Sequence, residues 1–165
     1  MKKLLALAVV ILGFTAVSFG QATATATSSA TIIGPISLTK NIDMNFGNVA
    51  VTTTAGTVVL APDGTRTITG GVTLPAVTGT VSQASFTVGG EGTSTFSITL
   101  PSTALTLTSG GNTMTATAFS SNPIGTGTLI AGSKIIAVGA TLNVASGQAT
   151  GTYVSVPFPV TVNYN

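Results

Sequence analysis

The side chains that could carry out acid–base, nucleophilic or metal chemistry are few in this chain. It contains no His and no Cys, so neither a Ser-His-Asp or Cys-His constellation nor an ordinary zinc, copper, haem or iron–sulfur site can form. Its three acidic residues, Asp43, Asp63 and Glu91, are isolated, which disfavours a hydrolase with paired carboxylates. The five Lys and Arg residues form no basic patch for phosphate contacts. We therefore expect no enzyme activity, no metal, no cofactor and no nucleic-acid partner.

Two short patterns resemble functional motifs without the context that those motifs need. The segment Ser37–Lys40 matches the serine–lysine pattern of penicillin-binding enzymes, but their Ser-Asp-Asn and Lys-Thr-Gly motifs are missing and the surroundings predict a strand. The pair Gly70-Gly71 is not followed by the Gly-Lys-Ser/Thr of a phosphate-binding loop. Neither pattern predicts a catalytic or nucleotide-binding site.

The N-terminus has the layout of a secretion signal. Lys2 and Lys3 precede the apolar run Leu4–Leu12, and small residues follow up to Gly20. We predict a signal peptide over residues 1–20, with cleavage after Ala22 as the alternative. The run is shorter than the roughly 20 apolar residues that span a bilayer, and no other long apolar stretch follows. We expect export, passage through the periplasm, a final location at the cell surface or outside the cell, and no integral membrane segment after cleavage.

The remaining chain, about 145 residues with no net charge, suits one domain. Polar and apolar residues alternate with a period of two, and many threonines (32 in the whole sequence) and valines favour the pleated backbone. Glycine-rich or proline-containing turns interrupt this pattern at short intervals. They are Pro62–Thr65, Gly89–Gly92, Ser109–Asn112, Ala131–Ser133 and Ser146–Gln148. Many short strands with such spacing predict an all-β fold built as a two-sheet sandwich.

The stretch after the signal peptide alternates small residues with threonine and serine. Its small-residue face includes Ala22, Ala24, Ala26, Ala30 and Ile32. We interpret residues 21–33 as an N-terminal arm and residues 34–165 as the sandwich domain. The arm is either a free strand, the first strand of its own sandwich or a disordered leader.

The C-terminal stretch alternates more strongly. One face carries Val154, Val156, Phe158, Val160, Val162 and Tyr164. Pro157 and Pro159 share the opposite parity, so the N–H groups that they lack belong to one edge of this strand. The sequence ends at Asn165 directly on the apolar strand. An uncovered apolar edge is an aggregation hazard, so we expect this strand to await a partner strand.

Residues near both ends of the domain carry a family resemblance. Gly151, fourteen positions before the last residue, together with the alternation and the penultimate Tyr164, resembles the C-terminal motif of chaperone–usher pilins. The segment around Phe46-Gly47 is similar to a motif of the spore-coat-U-like branch of those pilins. The chain also resembles small exported bacterial proteins that are classed as a domain of unknown function.

The pilin resemblance implies an immunoglobulin-like sandwich that lacks its last strand and is completed by donor-strand exchange. Residues Ala22–Ile32 would be the donor arm, and Gly151–Tyr164 would form one wall of the acceptor groove. The implied function is a structural subunit of a fimbria or pilus, which acts in cell adhesion. The implied partners are other copies of the chain, a periplasmic chaperone and an outer-membrane usher. The alternative is a self-contained immunoglobulin-like surface domain that binds glycan or matrix without polymerising.

Overall fold

The structure, a computed structural model, describes residues 20–165, and their regular secondary structure is all β-strand. The predicted all-β fold is therefore confirmed. The predicted signal peptide, apart from Gly20, lies outside the described residues. Residues 20–32 and residues 33–165 form separate units, and residues 20–32 are exposed and contain no strand. No helix within the described part of the chain is long and apolar enough to cross a membrane.

The strands of residues 33–165 are short, with three longer ones. In chain order they are β1 (Ser37–Ile42), β2 (Asn45–Phe46), β3 (Ala50–Leu60), β4 (Arg66–Thr73), β5 (Val81–Ser82), β6 (Ala84–Gly89), β7 (Thr95–Thr99), β8 (Leu105–Ser109), β9 (Asn112–Asn122), β10 (Thr126–Thr128), β11 (Ser133–Val144), β12 (Val154–Ser155) and β13 (Thr161–Tyr164).

The strands form two main antiparallel sheets. The larger sheet has the order β1-β6-β11-β9-β8-β12, and β3 with its hairpin partner β4 pairs with the second half of β11. The smaller sheet has the order β10-β7-β13. In an immunoglobulin sandwich, strands A, B, E and D form one sheet and strands C, F and G the other. Here β1, β6, β11 and β9 correspond to A, B, E and D, while β7 and β13 correspond to C and F. No strand of the described residues occupies the G position beside β13.

Two apolar clusters fill the sandwich. The first centres on β3, β11 and the buried side chains of Phe46, Val58, Leu60, Val72, Ala116, Ala140, Leu142 and Val144. The second lies under the smaller sheet and centres on Ala84, Phe86, Val88, Phe96, Leu129, Ile136 and Val138. Phe119 packs against both clusters, so it joins the two halves of the core.

A β-bulge in β9 gives Phe119 this position. The pairing of β9 with β11 shifts by one residue, and Ala118 has a φ of 48°. Before the bulge the even-numbered Ala116 faces the core, whereas after it the odd-numbered Phe119 and Ser121 do. An extra residue in one strand reverses its alternation in this way. Phe119 then contacts Phe158, with ring centroids 5.1 Å apart.

The predicted chain reversal at Pro62–Thr65 agrees with the structure, where β3 and β4 form an antiparallel pair. At the β3–β4 turn, the Gly64 N–H donates to the Ala61 carbonyl at 2.9 Å. The hydroxyl and backbone N–H of Thr65 donate to the Asp63 carboxylate, and these hydrogen bonds lower the pKa of Asp63. Asp is common in turns because its side chain bonds to the backbone two residues later.

The prediction of one continuous C-terminal strand is wrong. Val154 and Ser155 pair with β8 of the larger sheet, whereas Thr161–Tyr164 pair with β7 of the smaller sheet. Val154 and Val156 are 62% and 72% exposed, so the apolar face that points into the core begins only after them. Residues 156–160 cross from one sheet to the other, because the two prolines in this segment interrupt regular strand pairing.

Candidate functional site

The outer edge of β13 presents unpaired backbone groups. Asn165 donates its N–H to the Thr95 carbonyl at 3.2 Å. In an antiparallel pair, hydrogen-bonded and non-hydrogen-bonded residues alternate. The odd-numbered residues of β13 therefore face β7, whereas Val162 and Tyr164 direct their N–H and C=O groups away from it. Within residues 33–165, no strand pairs with this edge.

The outer edge of β1 is open for the same reason. Gly90 donates its N–H to the Gly132 carbonyl at 2.9 Å, so the even-numbered residues of β6 face β11. The odd-numbered residues of β6 face β1, opposite Ser37 and Thr39. Leu38 lies between those two positions and directs its backbone groups outward.

The two open edges lie next to each other, since β1 and β13 are in contact. Half-buried apolar side chains line both edges, and we call this group the open seam. Its members are Ile36, Leu38, Val160, Val162 and Tyr164. They pack on the second core cluster, where Phe96 and Leu129 are fully buried. The open seam therefore combines two unpaired strand edges with an uncharged, apolar floor.

The prolines of the crossing segment leave the outer edge intact. Pro157 and Pro159 have the parity of the residues that face β7. Continuing the β13–β7 register by two residues places Pro159 opposite Pro101, where neither residue has an N–H to donate. The ladder therefore ends at Thr161 and Thr99, and the missing donors belong to the inner side of β13.

Tyr164 closes one end of the open seam. Its hydroxyl accepts a hydrogen bond from the Glu91 N–H at 2.8 Å and donates one to the Gly34 carbonyl at 3.1 Å. Gly90 makes room for this arrangement, because a Cβ there would collide with the Tyr164 hydroxyl and approach Leu129 closely. The phenol thus connects the end of β13 to the segment that leads into β1.

The other end of β13 opens onto a surface cavity of about 400 Å³. The β7–β8 loop contributes Leu100 and Pro101 to its lining, and the crossing segment contributes Val156, Phe158 and Pro159. No acidic or basic side chain lines this cavity.

The predicted groove residues divide into three groups. Val160, Val162 and Tyr164 lie in the open seam, and Phe158 anchors the crossing segment on Phe119. The exposed Val154 and Val156 lie outside it. Gly151 also lies outside, in the loop before β12 and close to Ser109.

The predicted arm residues lie in the separate unit of residues 20–32. Ala22, Ala24, Ala26 and Ala30 are all exposed, and Ile32 is 97% exposed. An isoleucine with this exposure leaves nearly all of its apolar surface in water, which makes the arm a candidate for burial elsewhere.

The pair Phe46-Gly47 has a local structural role. Phe46 is buried in the first core cluster, and Gly47 has a φ of 71°, which only glycine adopts without cost. Arg66 donates through Nη1 to the carbonyls of Phe46 at 2.7 Å and Asn48 at 3.2 Å. The motif therefore stabilises a turn at some distance along the chain from the C-terminal strand.

Sequence reasoning missed several residues of the site. No pattern in the sequence indicates that β1, which carries Leu38, is an open edge of the larger sheet. Gly34, Gly90 and Glu91 act through contacts with Tyr164 that are far apart in sequence, so no local pattern indicates them.

Comparison with known proteins gives one match. Residues 36–164 match the model of a protein family described as a domain of unknown function, DUF4402. No curated protein and no solved structure matches the chain. The matched region begins at Ile36 and ends at Tyr164, which are both residues of the open seam.

Proposed function

We propose that this chain, which belongs to the DUF4402 family, is an exported structural subunit of a bacterial surface fibre. A strand from one copy would be added to the open seam of the next copy. The observation that carries the proposal is the pair of unpaired strand edges over an apolar floor, with Leu38 on one edge and Val162 and Tyr164 on the other. Unpaired strand edges can pair with a strand of another chain.

The proposed occupant is the N-terminal arm, residues 21–33, of a second copy. Its threonine and serine residues alternate with alanines, as in a strand with one polar face. Small alanines suit a seam whose own side chains are already half-buried. No side chain of the arm or of the open seam is charged, so repulsion between side chains does not oppose their association.

Backbone hydrogen bonds would supply much of the association energy. Each contributes about 0.5–1.5 kcal/mol net, and apolar burial contributes about 25 cal/mol per Å². Alanine side chains bury little area, so the backbone share is large for this arm. Ile32 is the exception, because its side chain has a large exposed apolar surface.

The open seam also supports the proposed assembly partners. Before a second copy arrives, an apolar edge of this kind needs a temporary cover to avoid non-specific pairing. A periplasmic chaperone would provide that cover, and an outer-membrane usher would receive the covered subunit. Both partners come from the resemblance to chaperone–usher pilins.

Deleting residues 22–30 tests the proposal. We expect the shortened chain to form no fibres, while it still binds a labelled peptide of residues 21–33 at its open seam. The measurements are electron microscopy for fibres and fluorescence anisotropy for peptide binding. Fibres of normal length from the shortened chain would show that the N-terminal arm is not the donor.

A matched pair of single substitutions separates the two faces of the arm. Ala26→Asp places a carboxylate on the face that would be buried, which is strongly unfavourable without a partner. Thr25→Asp places the same charge on the face that would remain in water. We expect Ala26→Asp to abolish fibres and Thr25→Asp to have a much smaller effect. Equal effects would contradict burial of the alanine face.

A further inference from the structure

The arm alone does not specify where it pairs along an edge. Four alanines and Ser28 occupy most of its small-residue face, and Ile32 is its one bulky member. A shift by two residues keeps the same face inward and places alanine where alanine was before. Register is weakly specified in strands that lack distinctive side chains. The acceptor must therefore contribute a feature that fixes the register.

Tyr164 is the one open-seam residue whose side chain bridges two other segments. Its hydroxyl binds the Glu91 N–H at 2.8 Å and the Gly34 carbonyl at 3.1 Å. These bonds hold the phenol at the end where β13 finishes and β1 begins. The opposite end has no such bridge and adjoins the open cavity beside Pro101.

We propose that Tyr164 is a stop that sets the register of the added arm. This inference rests on the proposed function. A shift by two residues moves a strand by about 6.6 Å along its axis. Such a shift toward the closed end would drive the arm backbone into the bridge between Tyr164 and Gly34. The register in which the end of the arm reaches the bridge makes the most backbone hydrogen bonds without displacing the bridge. In registers where the arm ends before the bridge, the outward N–H and C=O groups of Tyr164 stay unpaired.

Engineered disulfides can measure this register, because the natural chain has no cysteine to interfere. Asn163→Cys is the acceptor position, since Asn163 is exposed and its backbone faces β7. A residue opposite it on an added strand would form a non-hydrogen-bonded pair, in which side chains approach most closely. Donor chains carry one cysteine each at Thr23, Thr25, Thr27 or Ser29.

The experiment mixes full-length donor and acceptor chains under mild oxidation and measures each cross-link by mass spectrometry. With Tyr164 present, we expect one donor position to exceed its neighbours two residues away by about tenfold, as the loss of one or two backbone bonds implies. With Tyr164→Phe in the acceptor, we expect that preference to fall below about threefold, because the phenol loses both hydrogen bonds.

Tyr153→Phe is the matched control. The Tyr153 hydroxyl also makes two hydrogen bonds, with Gln148 at 2.7 Å and with the Ala149 carbonyl at 2.8 Å, but it is not part of the open seam. This variant is expected to keep the preference of the natural chain. Circular dichroism melting confirms that both variants are folded before they are compared.

The outcomes distinguish the two proposals. Two results would overturn the role of Tyr164 as a stop while leaving strand addition in place. One is an unchanged preference for one donor position in Tyr164→Phe, and the other is equal cross-linking at all donor positions in the natural acceptor. The absence of cross-links at every donor position overturns strand addition by the arm, and with it the stop.

Discussion

Proline substitution at neighbouring positions of β13 can test which of its edges is open. Val162→Pro removes an N–H that points away from β7 and has no backbone partner among residues 33–165. Asn163→Pro removes an N–H that points toward β7, opposite Ser97. The two substitutions introduce the same ring one residue apart. The difference between their free energies of unfolding therefore reports the direction in which each backbone N–H points.

The expected magnitudes differ for a simple reason. Asn163→Pro loses a ladder hydrogen bond and leaves the Ser97 carbonyl without its donor, a combined cost of about 2–3 kcal/mol. Val162→Pro loses no ladder bond, and the strand conformation already suits the residue before a proline. Its cost is the difference in apolar packing between two side chains of similar size, at most about 1 kcal/mol. We therefore expect Asn163→Pro to be the less stable variant by about 1–3 kcal/mol.

Urea unfolding followed by circular dichroism measures the stability difference, and binding of the arm peptide measures function. Val162→Pro is expected to stay folded and lose peptide binding, because the proline withholds an N–H from the added strand. If Val162→Pro were destabilised as much as Asn163→Pro, the assignment of the outer edge would be wrong. Normal peptide binding by Val162→Pro would show that this edge does not accept the arm.

Four further predictions concern stability and association. Ala131 has a φ of 50°, so Ala131→Gly is expected to raise the free energy of unfolding by about 1 kcal/mol. The control is Ala104→Gly, at an exposed loop position without positive φ, which is expected to lower the free energy of unfolding. Gly90→Ala is expected to lower the free energy of unfolding by about 1–3 kcal/mol, because the added methyl collides with the Tyr164 hydroxyl. Tyr164→Phe removes that hydroxyl, so a double-mutant cycle of the two substitutions is expected to show coupling. Phe158→Ala is expected to cost about 2 kcal/mol in urea unfolding, roughly half the loss of a fully buried ring. The affinity for the arm peptide is expected to change less than about twofold with added salt, because the open seam is uncharged.

The turns and the all-β class could be predicted because their causes are local. The turn Pro62–Thr65 contains residues whose preferences favour a reversal, and the Asp63 carboxylate accepts a hydrogen bond from the Thr65 N–H. Threonine and valine favour extended backbone wherever they occur in the chain. Such local preferences indicate where strands begin and end, but not which strands become neighbours.

The phase of a strand could not be read from sequence wherever a bulge intervenes. The even-numbered Met114 and Ala116 face the core, and continued alternation would turn Phe119 outward. The bulge at Ala118 reverses the phase, and Phe119 packs against both core clusters. Alanine at positive φ is uncommon, so the residue type gave no signal for the bulge.

The C-terminal stretch shows why an apolar alternation does not define a site. Its pattern is nearly regular from Val154 to Tyr164, yet the first part pairs with β8 and the last part with β7. The prolines were visible in the sequence, but their effect depends on Pro101, which lies opposite Pro159 only after folding. Two opposed prolines end the inner ladder at Thr161 and so limit β13 to four residues. A strand of four residues gains little stabilisation from hydrogen bonds to its one neighbouring strand, β7. The backbone groups of Val162 and Tyr164 on its outer side are therefore where additional pairing would stabilise it most.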